Sequence, residues 1–237
     1  MIASLLALHI PDGFLSNGVA AACAVLAGAA VVYGLKKANA TLDERQTPLL
    51  GVTAAFIFAA QMLNFPIAGG TSGHFLGAGL AAILLGPWIA CVVMAVVITM
   101  QAVLFADGGV TALGANILNM GVIGALIVGY LMVAAARRYR ENRAAFLGIT
   151  AVGTWLAVMA GATATSIELA ISGTVPLAIV LSAMLGVHLL IGIGEAVITV
   201  GAVAATMASR PDLIYALRPV GVSTGPTIVP APKEVRP

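Results

Sequence analysis

Residues 88–106 read WIACVVMAVVITMQAVLFA, nineteen positions without a charge, in which Thr99 and Gln101 are the polar exceptions. About 20 mostly apolar residues suffice for one helix to cross the hydrocarbon of a bilayer. The run lacks the apolar–polar alternation over about ten residues that marks a membrane strand. Working outward, the same reading applies to 14–35, 48–64, 73–86, 111–135, 146–171 and 176–208. The third is short and is broken from the fourth at Gly86-Pro87, and the last is long enough to tilt. The 237 residues are 61% hydrophobic and 8% charged, with mean hydropathy +1.08. A soluble domain is roughly 25% charged. The fold expected is therefore an all-α integral membrane protein of seven transmembrane helices, and a nucleic-acid partner is not expected. Cys23 and Cys91 lie in apolar runs without a CxxC spacing and read as buried hydrophobes.

All eleven Lys and Arg fall in three places: Lys36, Lys37 and Arg45; Arg137, Arg138, Arg140 and Arg143; Arg210, Arg218, Lys233 and Arg236. Seven spans put these three places on one side. The positive-inside rule makes that side cytoplasmic. The expectation is an amino terminus outside, a carboxyl terminus inside and a location in the cell (inner) membrane. Residues 209–237 read as a disordered cytoplasmic tail, rich in Pro and polar residues from Ser223. Small residues crowd the first span, Ala20 to Ala30, and would let it pack closely in the bundle or against a partner. Trp88 and Trp155 read as interface anchors.

Polar groups in hydrocarbon are costly unless partnered, so each is a functional candidate. The densest group faces outward: Gln61, Asn64, then Gly69-Gly70-Thr71-Ser72-Gly73-His74. Thr71 or Ser72 is expected to cap the next helix and place His74 in its first turn. His74 is either a hydrogen-bonded structural histidine or a metal ligand. Gln101, Asn116 and Asn119 are amides in or near the fourth and fifth spans. His188 and Glu195, seven apart, share one face of the last helix. With Glu168 they form either a buried network or a substrate and coupling path.

The amino-terminal stretch, Met1 to Leu15, reads MIASLLALHIPDGFL and places His9 on the outer side. Were the chain to begin at Leu8, its α-amine, the His9 amide nitrogen and the His9 imidazole would close two fused chelate rings. His74 would supply a fourth nitrogen. Such a plane suits Ni(II) or Cu(II), with Co(II) accommodated, and acid would release the metal. Two other chemistries compete. Gly70-Thr71-Ser72-Gly73 matches the GxSG pattern of rhomboid-like intramembrane serine proteases, with Ser72 as nucleophile and His188 as base. An ion-coupled secondary transporter would use Glu168, Glu195 and His188. There is no HExxH and no Walker A pattern.

The chain resembles the CbiM/NikM family, the substrate-capture components of energy-coupling-factor transporters for cobalt and nickel. The resemblance runs from about residue 8 to 208, the expected membrane domain. It rests on Leu8-His-Ile-Pro-Asp-Gly-Phe-Leu15, Gly70-Thr-Ser-Gly-His74 with Leu84-Leu-Gly-Pro-Trp88, and Gln101 with Phe105-Ala-Asp-Gly-Gly109. Gly114-Ala-Asn-Ile-Leu-Asn-Met120 and His188-Leu-Leu-Ile-Gly-Ile-Gly-Glu-Ala196 complete it. It implies seven helices with the amino terminus dipping into the bundle. It also implies a metal substrate held by the amine of the terminal residue, the following histidine and a later one: Leu8, His9 and His74 here. Asn64, Thr71, Ser72, Gln101, Asn116, His188 and Glu195 are expected behind these ligands or in coupling. No catalytic residue and no resident cofactor are expected; Co(2+) or Ni(2+) is the cargo, and the family's link with cobalamin synthesis inclines the choice to cobalt. The implied partners are a membrane coupling subunit of CbiQ or NikQ type, ABC ATPase subunits of CbiO or NikO type, and a small CbiN-like subunit. The family's terminal methionine falls on Leu8, so residues 1–7 are expected to reflect a start assigned too early or an extension that is removed. Met1–Ala7 lacks the basic region of a signal peptide. Intact mass of the native membrane protein is expected to match a chain beginning at residue 8; a mass that includes Met1 contradicts this.

Overall fold

The structure, a computed structural model, describes residues 9–42, 46–63, 65–67 and 71–218. Among them seven helices of eight or more residues follow in order: α1 (Asn17–Thr41), α2 (Thr47–Gln61), α3 (Ala78–Leu85), α4 (Pro87–Phe105), α5 (Leu113–Arg138), α6 (Arg143–Ile171) and α7 (Leu177–Ser209). Five of these, α1 and α4 to α7, are long and apolar enough to cross a membrane. The expected spans 48–64 and 73–86 are corrected to the 15-residue α2 and the 8-residue α3. Eight helical residues rise about 12 Å, under half of a hydrocarbon layer of about 30 Å. Glycines bound α3 on both sides. Gly77 (φ 81°) and Gly86 (φ 89°) take backbone angles that L-residues resist, and Pro87 opens α4.

A second correction concerns the segment before α3. A two-stranded antiparallel hairpin joins β1 (Phe65–Ile67) to β2 (Thr71–Gly73), with Phe65 opposite Gly73, Pro66 opposite Ser72 and Ile67 opposite Thr71. Thr71 and Ser72 therefore do not cap a helix, and His74 is not in a first helical turn. His74 to Gly77 form a non-helical connection, and Gly77 occupies the cap position of α3. Asn64 and residues 68–70 lie outside the described residues, as do the side chains of Thr71 and Ser72.

All eight residues of α3 are buried, which makes this short helix the centre of the bundle. It packs against α4, α5 and α6, while α6 lies along α7 and α1 covers α4 and α5. Residues Ile117–Val128 of α5 widen into a π-helix. Buried polar ties cross the bundle. The Asn119 amide donates to Glu168 Oε2 (2.7 Å) and Thr165 Oγ1 (3.1 Å), and the Cys23 thiol donates to Glu168 Oε1 (3.4 Å). These join α5, α6 and α1, so Glu168 belongs to a helix-packing network. Trp155 lies mid-helix in α6 and donates to the Leu189 carbonyl of α7 (3.3 Å), a packing role in place of the expected interface anchor.

The chain remains packed beyond α7. Ile214 and Ala216 are buried, and the Arg137 guanidinium sits 4.5 Å over the Tyr215 ring and donates to its carbonyl (3.2 Å). The expected tail from residue 209 is thus folded to Arg218, because Tyr215 closes the end of the bundle against Gly86 and Arg137. Residues 219–237 lie outside the described residues. The basic ends of α5 and α7 meet there, at the far end of α7 from His9.

At Gly114 of α5 an added Cβ would collide with the backbone of Ala24 in α1 and come within 2.7 Å of its Cβ, whereas Gly28 of α1 has nothing within 4 Å. Gly114→Ala is expected to lower the melting temperature by several degrees, the equivalent of about 1–3 kcal/mol of overpacking. Gly28→Ala should leave it unchanged or raise it, as read by thermal unfolding in detergent.

Candidate metal site

The amino-terminal arm enters the bundle where α4 ends and α5 begins. Ile10 is held like a residue in a strand: its N–H donates to Asn116 Oδ1 (2.8 Å) and its carbonyl accepts from Asn116 Nδ2 (3.1 Å). The Gly109 N–H donates to the same carbonyl (2.8 Å). The glycine is obligatory in size, since a Cβ there would fall onto the Pro11–Asp12 peptide. Asp12 accepts from the Thr111 hydroxyl (2.5 Å) and amide (2.7 Å), and these bonds hold its carboxyl below the usual carboxylate range. Farther along, the Thr174 hydroxyl donates to the Phe14 carbonyl. Three residues of the arm, Ile10, Asp12 and Phe14, are thus fastened before Ser16 caps α1 through the Val19 N–H.

That fastening buries His9, which is 2% exposed, against His74, which is fully buried. The two rings stack with centroids 4.5 Å apart and planes 15° from parallel. His74 Nδ1 lies 2.9 Å from the Phe75 carbonyl. A carbonyl only accepts, so Nδ1 carries the proton and Nε2 presents its lone pair. That Nε2, like Nε2 of His9, has no hydrogen-bond partner among the described residues. Asp107, at the turn after α4, stands 3.4 Å from His9 Nδ1 and is the carboxylate nearest the pair. Each buried polar atom left without a partner costs about 1–3 kcal/mol. Two imidazoles stacked face to face with unpartnered ring nitrogens are therefore costly packing, and among the described residues no group of three or more His, Cys, Asp or Glu is placed to hold a metal ion.

Other expected residues fall around this pair in different ways. Gln101 is fully buried on α4, and both its side-chain amide atoms lack partners among the described residues; its carbonyl accepts from the Asp107 N–H (3.1 Å) and so sets the turn that aims Asp107. Asn116 holds the arm, while Asn119, one turn on, binds helix α6, so the expectation of two interhelical amides is met by one. His188 of α7 is buried, bonded through Nδ1 to the Met184 carbonyl (2.7 Å), with Nε2 unpartnered. Glu195 accepts from the N–H groups of Leu76 (2.6 Å) and Gly77 (2.9 Å). An apolar groove of about 450 Å³ along α7, lined by Val187, Leu190 and Ile191, leads to His74 and Glu195. Leu8 lies outside the described residues. Asp107 was not singled out from the sequence as a site residue. The signal was present in its motif, between the end of a span and two glycines, since a carboxylate at a membrane boundary beside a chain-turning pair is placed to face inward.

The class of protein follows from this arrangement: a polytopic helical membrane protein that buries paired imidazoles beneath a fastened amino-terminal arm. Residues 9–213 match the family model for the cobalt uptake substrate-specific transmembrane region. The chain belongs to this family, CbiM, of cobalt and nickel transport proteins. It is 42% identical over 209 residues to a putative fused nickel transport protein NikMN of Archaeoglobus fulgidus, covering 87% of this chain and 68% of that one. It is 34% identical to the cobalt transport protein CbiM of Sorangium cellulosum, covering 92% and 99% of the two chains. A crystal structure described as a transition metal transporter superposes with a TM-score of 0.76 at 34% identity, covering 84% of this chain and 92% of that one.

Replacing Asn116 by Ala removes both side-chain bonds to Ile10. Amide hydrogen exchange at Ile10 is expected to quicken by about tenfold or more, the equivalent of 1.4 kcal/mol, with α6 unaffected. Equal protection of Ile10 in both proteins would contradict the arm's anchoring by Asn116.

Proposed function

We propose that the chain captures a divalent cobalt or nickel ion at the His9–His74 pair and carries it across the cell (inner) membrane as the substrate-specific component of an ATP-driven transporter of the energy-coupling-factor type. The observation that supports this most is the stacked, buried pair of imidazoles, in which Nδ1 and Nε2 of His9 and Nε2 of His74 have no hydrogen-bond partner among the described residues. Ring nitrogens suit late first-row divalent metals, whereas calcium and magnesium seek oxygen.

The remaining donors come from the chain terminus. With Leu8 as the first residue, its amine and the His9 amide nitrogen form a five-membered ring with the metal. The His9 amide nitrogen and imidazole Nδ1 form a six-membered one. His74 Nε2 completes a plane of four nitrogens. A free amine at Leu8 is thus a requirement of the site, and residues 1–7 are absent from the active form in this reading. Asp107 offsets part of the charge of the incoming cation, and the Asn116, Gly109 and Thr111 bonds pre-order the arm. Ordering before binding spares the ion that entropic cost.

Transport geometry follows from the fold and the charges. The site lies at the end of the bundle opposite Arg137, Arg138, Arg210 and Arg218. With the basic end cytoplasmic, the site opens outward. Seven crossings result if α2 with its hairpin, and the His74–Gly77 connection with α3, each complete one. Energy comes from partner ATPase subunits of CbiO or NikO type through a membrane coupling subunit of CbiQ or NikQ type. The relatives named as NikMN and LarMN fusions support a small CbiN-like subunit as a further partner.

Competition with a chromophoric chelator tests the site. Protein beginning at residue 8 is expected to bind Ni(II) or Co(II) tightly, and His9→Ala or His74→Ala to weaken binding by at least about a hundredfold, two steps of 1.4 kcal/mol. Unchanged affinity in either variant, or equal affinity in protein that retains Met1–Ala7, would overturn the assignment.

A further inference from the structure

The segment that carries His74 has no helix or ladder of its own, yet it is fixed. From His74 to Gly77 the backbone is non-helical, turns left-handed at Gly77 (φ 81°) and is buried. Its polar groups are taken up by side chains from two different helices. Gln61 of α2 donates to the Leu76 carbonyl (2.6 Å), and Glu195 of α7 accepts from the Leu76 and Gly77 N–H groups, one to each carboxylate oxygen. Glu195 is the only acidic side chain of α7, is 2% exposed, and is bonded to backbone and to no cation among the described residues. A carboxylate buried in apolar surroundings is costly unless its oxygens are hydrogen-bonded, as both are here. The two N–H groups meet separate oxygens, so the tie asks for two acceptor atoms, which a carboxylate supplies and an amide does not.

We infer that Glu195 is the positioning residue of the metal site: through the Leu76 and Gly77 amides it sets the direction in which His74 presents Nε2, and it links that ligand mechanically to α7. The inference rests on the reading of His74 as a ligand. The leverage is short. The Leu76 amide is two residues from His74, and the Phe75 carbonyl between them is the group that holds the His74 ring by Nδ1. Rotating the Leu76 peptide would turn the Phe75 carbonyl with it, since the two belong to one rigid peptide plane. The His74 ring would then lose its acceptor and its aim. A shift of α7, conversely, reaches His74 through the same plane. His188 is two turns nearer the site end of the same α7 face, so α7 approaches the His74 segment at more than one level.

Glu195→Gln separates this role from simple support. The amide oxygen can accept one N–H, but its NH2 meets the other N–H donor to donor. Ni(II) affinity and the ligand-field absorption of the Ni(II) complex are measured for the parent protein starting at residue 8, Glu195→Gln, His74→Ala and the double variant, with the metal-free melting temperature of each. The expected result is a fall of about 10- to 100-fold on Glu195→Gln, the range typical of residues that orient metal ligands. Its spectrum should shift toward that of His74→Ala, and the same change should have less than about a threefold effect when His74 is already Ala. An equal fold-change in both backgrounds, or no change of affinity and spectrum in the parent, overturns the inference. If Glu195→Gln does not fold, Glu195→Asp, which keeps the double acceptor but withdraws it by one methylene, carries the same test with the same outcomes. A His74→Ala protein that binds like the parent sinks the metal-site reading itself, a result distinguishable from failure of Glu195 alone.

Discussion

Backbone that leaves helical geometry inside a membrane bundle must have its N–H and C=O groups met by something other than water or lipid. Two such stretches build the site here, the arm from His9 to Ser16 and the connection from His74 to Gly77. The connection is held by side chains on helices, and the arm by a helix side chain together with loop groups at Gly109, Thr111 and Thr174. Asn116 of α5 does for Ile10 what a neighbouring strand would do, and Glu195 of α7 with Gln61 of α2 does the same for Leu76. With these ties His9 and Ile10 of the arm and the whole His74–Gly77 connection are buried, and the two histidines stack.

The consequence is a division of labour between frame and insert. α3, bounded by Gly77 and Gly86, is too short to span and too buried to move alone; it supports the His74 segment from below. The long helices α4 to α7 supply the walls, and their apolar outer faces suit lipid. Part of the polar cost falls at the candidate site, where unpartnered nitrogens of His9, His74 and His188 and the amide of Gln101 sit, and the rest is spread over groups such as Thr154, Thr199 and Arg137 Nε. Buried polar atoms that lack partners each carry a cost that an added partner would remove.

The membrane class, the five long helices and the side on which cations gather were legible in the sequence, because hydrophobic length and charge placement are local properties. His9 and His74 were legible as a pair because only three histidines exist and the motifs around these two are recognisable. The hairpin at Phe65–Gly73 was not. Its strands are three residues long and sit in a glycine-rich run, where a helix cap at Thr71 or Ser72 was an equally good local reading. The shortness of α3 was hidden for a related reason. Residues 73–86 are apolar throughout, and hydropathy does not distinguish an extended buried segment from a helix. Glu195 was legible as a residue behind the ligands or in coupling, but its partners were not, since they are backbone amides 118 and 119 positions away. The packed stretch through Tyr215 was missed because one aromatic ring beside Arg137 outweighed a composition that read as a loose tail.

X-ray absorption at the nickel edge tests the central claim most directly, on nickel-loaded protein whose first residue is Leu8. The account predicts four nitrogen donors in a plane, with the multiple scattering of two imidazole rings, one of which is lost in His74→Ala. A six-coordinate, oxygen-rich shell, or a spectrum indifferent to His74, would contradict it.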